Sequence, residues 1–203
     1  MRVARSLRSL SLGVATASFL LAGAACAQSI RLSGVNTELD RVLDSQNAKP
    51  GQAVEVKLDG SVRTADGMDL PKGTELMGQV SQVQASEGGG PSSISLVFTR
   101  AQLKDGKTIP VKVTVVGAYP ASDGYEATYG YEDVAPAPKI LNLKGKYDQE
   151  AGILSNISMT SSVQGHNSAT FMRKDGNIKL AAGTILQVGI GAANGNGAMT
   201  SGA

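Results

Sequence analysis

The chain has 203 residues, with 19 basic and 17 acidic side chains, one cysteine, one histidine and no tryptophan. Three of the arginines and none of the acids lie in the first 27 residues, which leaves 16 basic against 17 acidic side chains, a formal charge of −1, for the remainder. A near-neutral chain lacks the basic surface that nucleic-acid binding requires, and one cysteine with one histidine excludes an internal disulfide and a two-histidine metal site.

The N-terminal segment has the order of a secretory signal peptide. Three arginines precede an apolar run over residues 10–25, which ends in the small residues Ala25-Cys26-Ala27. This order predicts a signal peptide over residues 1–27. Two alternatives stay open: a lipoprotein linked through Cys26, and an uncleaved anchor, although the apolar run is shorter than the roughly 20 residues of a membrane span. We therefore expect an exported protein, periplasmic or outer-membrane associated, with no transmembrane segment after cleavage.

Alternating apolar residues begin soon after this segment. Residues 35–43 alternate at period 2, which predicts a strand, although residues 39–43 would also fit a short helical turn. A second alternation over residues 54–58 reaches Asp59-Gly60 and resumes over residues 62–64. Because Asp-Gly between two alternating runs is typical of a two-residue turn, this pattern predicts a β-hairpin.

The Asp-Gly pair recurs between later candidate strands, at Asp66-Gly67, Asp105-Gly106, Asp123-Gly124 and Asp175-Gly176. Repeated hairpins predict an antiparallel sheet. Changes in the parity of the apolar positions predict β-bulges near Ser81-Gln82 and near Thr99-Arg100. The most regular strand covers residues 109–115, and Pro110, which cannot donate a backbone hydrogen bond, places that end at a sheet edge or a bulge.

A repeated motif organises the chain. Residues 68–80 (MDLPKGTELMGQV) return as residues 179–190 (KLAAGTILQVGI), with the shared spacing Leu-x-x-Gly-Thr-x-Leu. The residues that carry the repeat are Leu70, Gly73 and Thr74 in the first copy and Leu180, Gly183 and Thr184 in the second. Pro71 presets the turn, and the glycine that follows is permissive. We interpret both copies as strand–turn–strand units facing one core, so the chain is predicted to be all-β, a single small kinked antiparallel barrel or sandwich over residues 28–191.

Three segments do not follow the alternating pattern. Residues 117–138 are rich in Gly, Ala, Pro and Asp and predict a long loop, with four tyrosines: Tyr119, Tyr125, Tyr129 and Tyr131. These rings either form a binding surface or cover one open end of the barrel. Residues 140–171 fit neither the helical nor the strand period and stay unassigned. The tail over residues 192–203 has too little apolar content to pack and is predicted to be disordered.

Candidate catalytic groups are few. His166 has Ser162, Ser168 and Asp175 nearby in sequence, but no Gly-x-Ser-x-Gly context supports a triad, which favours a solvated loop histidine. The sequence predicts no catalytic, metal or cofactor site. A spatial pair of carboxylates for glycoside hydrolysis stays open, because such a pair need not be close in sequence.

Five segments resemble one family. Residues 39–44 (LDRVLD), 51–56 (GQAVEV), 70–78 (LPKGTELMG), 96–100 (LVFTR) and 104–109 (KDGKTI) follow an order that is similar to the C-terminal β-barrel domain of TrbI-type scaffold proteins of type IV secretion and conjugation channels. The resemblance implies a small kinked barrel that assembles side by side into a ring in the bacterial cell envelope. It also implies that Leu70, Pro71, Gly73, Thr74 and Gly78 are structural residues rather than a binding site.

The chain departs from that family in its membrane segments. The family carries a cytoplasmic tail, an inner-membrane helix and a proline-rich stretch where this chain has a predicted signal peptide. Its late helical hairpin crosses the outer membrane, whereas residues 132–163 hold no apolar run near the length of a span. The resemblance therefore supports the barrel without supporting a pore.

Two classes of function follow from these patterns. We expect a non-enzymatic envelope domain without a cofactor, which assembles with itself or binds an envelope protein through exposed strands and the tyrosine loop. The alternative is a periplasmic enzyme, or a small-ligand or glycan-binding domain, that uses the barrel mouth. A deep pocket with two convergent carboxylates would favour the alternative, whereas a shallow surface with an exposed strand edge would favour assembly.

Overall fold

The structure is a computed structural model that describes residues 30–121, 140–143, 146–149, 154, 156–163 and 165–193; for residues 30, 140–143 and 146–149 it describes the backbone alone. Strands form the regular secondary structure of these residues, and no helix occurs among them, which confirms the all-β prediction. The predicted signal peptide, Asp123-Gly124, Tyr125, Tyr129, Tyr131 and the tail beyond residue 193 lie outside the described residues.

The strands in chain order are β1 Ile30–Leu39, β2 Leu43–Asp44, β3 Ala53–Leu58, β4 Val62–Arg63, β5 Asp69–Leu70, β6 Glu75–Gln84, β7 Ser92–Gln102, β8 Thr108–Tyr119, β9 Ile140–Leu143, β10 Lys146–Gln149, β11 Ile157–Ser162, β12 Ala169–Arg173, β13 Lys179–Leu180 and β14 Ile185–Ala192.

Six of these strands close into an antiparallel barrel. Around the ring the order is β1, β14, β8, β7, β6, β3 and back to β1. Short ladders join the two halves, because Thr37 to Leu39 pair with β3 and Thr108 to Pro110 pair with β7. The predicted single antiparallel barrel is therefore confirmed.

The ring has two similar halves. In one half the long strand β3 is followed by the short pair β4–β5, and the chain then returns as β6 beside β3. In the other half β1 is followed by β2, which pairs with β13, and β14 returns beside β1. The second half thus joins the two ends of the described chain, and it places the N-terminal and C-terminal strands next to each other.

The core lies inside the ring and follows from strand alternation. Buried side chains occur at every second position of β3, at Val54, Val56 and Leu58. The same alternation continues in β8 with Val111, Val113 and Val115. Each fully buried side chain of this size contributes roughly 1.5–3 kcal/mol relative to an exposed one, so the core is the main source of stability.

The two predicted bulges are present in the β6–β7 ladder. The pairing passes from Met77↔Arg100 to Gly78↔Phe98, which leaves Thr99 without an opposite residue. It passes again from Val80↔Leu96 to Gln82↔Ser95. Each bulge adds local twist, so the long β6–β7 hairpin bends and continues beyond the barrel.

The hairpin predicted at Asp59-Gly60 is wrong. Asp66-Gly67 does connect the paired strands β4 and β5, and Asp105-Gly106 connects β7 and β8. After Asp59-Gly60, however, β4 does not pair with β3, because β1 and β6 already occupy the two edges of β3. Asp175-Gly176 likewise connects β12 to β13, which lie in different sheets. A turn dipeptide predicts a reversal of the chain, but it does not predict which strand edge is free to pair with the returning chain.

Among the described residues Pro110 pairs on one side only, which agrees with its predicted position at a sheet edge or a bulge. Pro110 lies opposite Arg100 in the β7–β8 ladder, inside the ring. The ladder with β14 begins one residue later, at Val111↔Ala192. The missing N–H is tolerated because Pro110 precedes the β14 ladder rather than interrupting it.

Two boundaries also differ from the prediction. The loop predicted to begin at residue 117 begins later, because β8 continues to Tyr119. The unassigned region over residues 140–171 contains β9, β10, β11 and the start of β12. Strands β12, β11 and β10 pair in that order onto the outer part of β7, so the sheet extends beyond the barrel.

Ser168 lies between β7 and β8, beyond the end of the ladder that joins the two strands. Its N–H donates to the Leu96 carbonyl oxygen at 2.7 Å, and its own carbonyl oxygen accepts from the Val115 N–H at 2.9 Å. Its Oγ accepts a further hydrogen bond from the Phe98 N–H at 3.0 Å. One buried serine therefore satisfies backbone groups of both strands at the point where their ladder ends.

Two buried threonines on neighbouring parts of the barrel give a matched test of this packing. Thr37 Oγ1 donates to the Leu186 carbonyl oxygen at 2.9 Å. Thr114 is fully buried, and its Oγ1 has no partner among the described residues. We expect Thr114→Val to raise the free energy of unfolding by about 1 kcal/mol, because it removes an unpaired buried hydroxyl. Thr37→Val should lower it by about 1 kcal/mol, because it removes a buried hydrogen bond.

Urea denaturation of the two variants and the parent chain measures both changes. The comparison is valid if the dependence of the unfolding free energy on urea stays the same. A loss of stability in Thr114→Val equal to that in Thr37→Val would contradict the assignment of Thr114 as an unpaired group.

Candidate interaction surface

The first copy of the repeated motif is built into the wall of the barrel. Leu70 ends β5 and is fully buried, and Gly73 has a φ of +83° in the turn before β6. The Gly73 N–H donates to the Leu58 carbonyl oxygen at 2.8 Å, and the Leu58 N–H donates to the Thr74 carbonyl oxygen at 2.9 Å. Thr74 Oγ1 donates to the Pro71 carbonyl oxygen at 2.8 Å.

The second copy makes equivalent backbone contacts. Leu180 ends β13 and is buried, and Gly183 has a φ of +79°. The Gly183 N–H donates to the Leu39 carbonyl oxygen at 2.7 Å, while the Leu39 N–H donates to the Thr184 carbonyl oxygen at 2.9 Å. Each glycine–threonine turn thus holds the leucine that ends the neighbouring long strand. These contacts are internal to the barrel wall, as expected for structural residues.

The tyrosines predicted as a binding loop are described at one position. Tyr119 ends β8 and is half-buried, and its hydroxyl donates to Gln187 Oε1 on β14 at 3.3 Å. Tyr125, Tyr129 and Tyr131 lie outside the described residues, so the tyrosine surface stays a prediction.

The residues considered for a triad have separate settings. His166 is exposed on the connection between β11 and β12. Ser168 is buried, and its Oγ accepts the Phe98 N–H. Asp175 lies in the turn after β12, where its carbonyl oxygen accepts from Arg173 Nε. The Ser168 hydroxyl therefore makes a structural contact with the backbone of β7.

The outer side of the sheet extension carries uncharged polar side chains. In β11, β12 and the outer part of β7 the inward positions hold apolar residues of the core, such as Met159, Phe171 and Ile94. The outward positions form two rows across the paired strands. We call this surface the hydroxyl face; its residues are Thr160, Thr170, Ser95 and Gln82 in one row and Ser158, Met172, Ser93 and Gln84 in the next. Ser95 is itself buried within its row.

The hydroxyl face is neutral and has one apolar member. Ser95 Oγ and Thr170 Oγ1 share a hydrogen bond of 2.9 Å within the first row. Met172 is 39% exposed, and with Val42 it is one of two large apolar side chains exposed among the described residues. Removing uncharged polar groups from water costs less free energy than removing charged groups. A surface of this kind is therefore suited to binding.

The described surface includes two small cavities. One, of about 280 Å³, lies at the end of the hydroxyl face beside Thr160, Thr170, His166 and Asn167. The other, of about 250 Å³, lies beside the corner between β1 and β2, where Val42 and Glu55 contribute to its walls. Neither lining contains two carboxylates, and the described residues hold no cluster of His, Cys, Asp or Glu suited to a metal ion.

The ion pairs of the described residues lie on the barrel surface. The shortest joins Lys72 Nζ to Asp59 Oδ1 at 2.9 Å, and this hydrogen bond, together with the charge of Asp59, raises the pKa of Lys72. Both side chains are more than half exposed, so the pair contributes little to stability.

The sheet extension ends at β10. Among the described residues, β10 pairs with β11 through Lys146↔Ser162 to Gln149↔Met159 and with no other strand. We call the side of β10 away from β11 the β10 edge. No helix in the described part of the chain has the length and apolar character needed to cross a membrane.

Comparison with known proteins gives a weak structural likeness. No family model matches the chain, and no curated protein matches it. Among solved structures, ComB10 of the Com type IV secretion system of Helicobacter pylori is similar over 82% of this chain and 88% of that chain, with 12% sequence identity and a TM-score of 0.34. At this level the likeness agrees with the type IV secretion resemblance as a weak resemblance and carries no functional argument.

Gly78, one of the predicted structural residues, gives a direct test of the bulged wall. A methyl group there would overlap the Val97 carbonyl oxygen and the Phe98 ring. We expect Gly78→Ala to lower the free energy of unfolding by about 2 kcal/mol, because a packed strand must move to admit it. Gly60→Ala is the matched control, since its added carbon would meet Val35 Cγ2 at an ordinary 3.8 Å. Chemical denaturation should show a change below about 0.5 kcal/mol for the control, and equal losses in both variants would contradict the packing.

Proposed function

We propose that this chain is an exported, non-enzymatic domain of the cell envelope that works by assembling with other protein chains. The observation that supports the proposal most is the β10 edge. The six barrel strands have neighbours on both sides, whereas β10 ends the path of paired strands in the described residues.

An unpaired strand edge is a template for another strand. Its backbone N–H and C=O groups lack ladder partners, and a second chain that pairs there supplies them. Residues 146–149 contain no proline, and no bulge interrupts the β10–β11 ladder. Two devices that commonly prevent such pairing are therefore missing from β10, while two others, a short strand and a lysine, are present.

A second copy of this chain is the partner that we favour. If two β10 strands pair antiparallel about Tyr147, Lys146 of each copy lies opposite Asp148 of the other. Opposite charges at directly facing positions favour an antiparallel pair. The TrbI-type resemblance implies the same kind of assembly, side by side in the envelope.

The alternative function, an enzyme or ligand-binding domain that uses the barrel mouth, has less support. The barrel interior is filled by buried apolar side chains of the core. Glu55 is the one carboxylate residue that lines either cavity described above. A hydrolytic mechanism based on two convergent carboxylates has no second group there.

A pair of proline variants tests the β10 edge. Neighbouring residues of an antiparallel strand point their N–H groups in opposite directions, so one of Tyr147 and Asp148 donates toward β11 and the other toward the β10 edge. Tyr147→Pro and Asp148→Pro each remove one N–H. We expect one variant to melt at a lower temperature, because it loses a hydrogen bond to β11. The other should keep the parent melting temperature and lose self-association.

Sedimentation of the mature chain and both variants measures the association. The destabilised variant is the control for a general effect of proline. If the parent chain sediments as a monomer at all accessible concentrations, or if the stable variant associates as the parent does, assembly through β10 is contradicted.

A further inference from the structure

The cavity at the end of the hydroxyl face is lined by polar side chains. Its lining includes the hydroxyl groups of Thr160, Ser162 and Thr170, the amide of Asn167 and the imidazole of His166. No carboxylate, ammonium or guanidinium group belongs to the described residues that line it. The walls as described match a polar ligand that exchanges hydrogen bonds with several of these groups.

Hydroxyl and amide groups can both donate and accept hydrogen bonds. A ligand that matches them must also do both at several closely spaced atoms. The hydroxyl groups of a sugar ring meet this requirement. An extended peptide, by contrast, binds through its backbone and would need an unpaired strand edge in the cavity. In the cavity the β11 and β12 backbones are already paired with each other at Thr160↔Thr170.

Two of the polar side chains are held in place. Ser81 Oγ donates to Asn167 Oδ1 at 2.8 Å, which occupies the amide oxygen and leaves the Asn167 amide nitrogen as the donor side of that group. The hydroxyl groups of Thr170 and Ser95 share a bond of 2.9 Å. Side chains fixed before binding lose less conformational freedom when a ligand arrives.

An exposed apolar side chain of the same face lies outside the residues that line the cavity. Met172 is two residues beyond Thr170 on the same face of β12, about 7 Å along the strand, and is 39% exposed. Its thioether is flexible and polarisable, so it can cover the C–H face of a sugar ring. The volume of about 280 Å³ suits one ring rather than a long chain.

We infer that this cavity is a binding site for a single ring of an uncharged saccharide, held by Thr160, Asn167 and Thr170 beside Met172. The site is separate from the β10 edge and does not depend on assembly. Because the cavity is small and open and the contacts are neutral hydrogen bonds, we expect dissociation constants in the millimolar range.

Nuclear magnetic resonance titration of the mature chain tests the inference. The probes are cellobiose and N,N′-diacetylchitobiose as neutral saccharides, with galacturonic acid as a charged comparison. We expect saturable shifts for the amides of Thr160, Ser162, Asn167 and Thr170 with at least one neutral saccharide. Galacturonic acid should bind more weakly, because the described residues that line the cavity offer its carboxylate no lysine or arginine side chain.

Thr160→Val supplies the variant, since it replaces a hydroxyl with a methyl group of nearly the same shape. We expect roughly a fivefold rise in the dissociation constant, which corresponds to one neutral hydrogen bond. Thr108→Val on β8 is the matched control, an exposed strand threonine away from the cavity, and should leave the constant unchanged.

The outcomes separate this site from the assembly proposal. Absence of saturable shifts with both neutral saccharides, or equal effects of the two threonine variants, would overturn the saccharide site. If the same amides shift with protein concentration alone, the hydroxyl face is a protein contact. That result would also overturn the saccharide site. Sedimentation of the β10 variants is independent of these results.

Discussion

The arrangement of the sheet depends on how the backbone groups of β7 and β8 are satisfied where the two strands separate. Ser168 accepts from Phe98 and Val115 and donates to Leu96, so it replaces the ladder that the two strands no longer form. Without these bonds, buried N–H groups of both strands would lack partners at a cost of about 1–3 kcal/mol each. The same contact begins β12, from which the sheet extension and the β10 edge follow.

The rest of the barrel is held by two equivalent turns. Each places a glycine with positive φ against the end of a long strand, at Leu58 in one half and at Leu39 in the other. The turns fix the register of β6 and β14, and the register decides which side chains enter the core. Both turns are therefore part of the barrel wall, whereas the hydroxyl face and the β10 edge belong to the strands added outside it.

The sequence predicted the barrel more completely than the binding surface. Apolar alternation located the barrel strands, and breaks in its parity located both bulges of the β6–β7 ladder. The hairpin at Asp59-Gly60 could not be judged from the sequence, because pairing depends on which edges are occupied in three dimensions. The hydroxyl face was missed because β11 alternates inward Met159 with outward Ser158 and Thr160, while Ser161 is buried despite its polar side chain. A pattern of serine and threonine on both sides of a strand hides the period on which the prediction rests.

Residue-resolved amide hydrogen exchange over Lys146–Gln149 tests assembly through β10 most directly. In the separate chain, alternate amides donate to β11 and are protected, while the others point to the β10 edge and exchange quickly. The account predicts that the fast amides become protected when the mature chain assembles, and that the slow ones hardly change. Fast exchange at the same amides in the assembled state would show that β10 stays unpaired, and it would contradict the account.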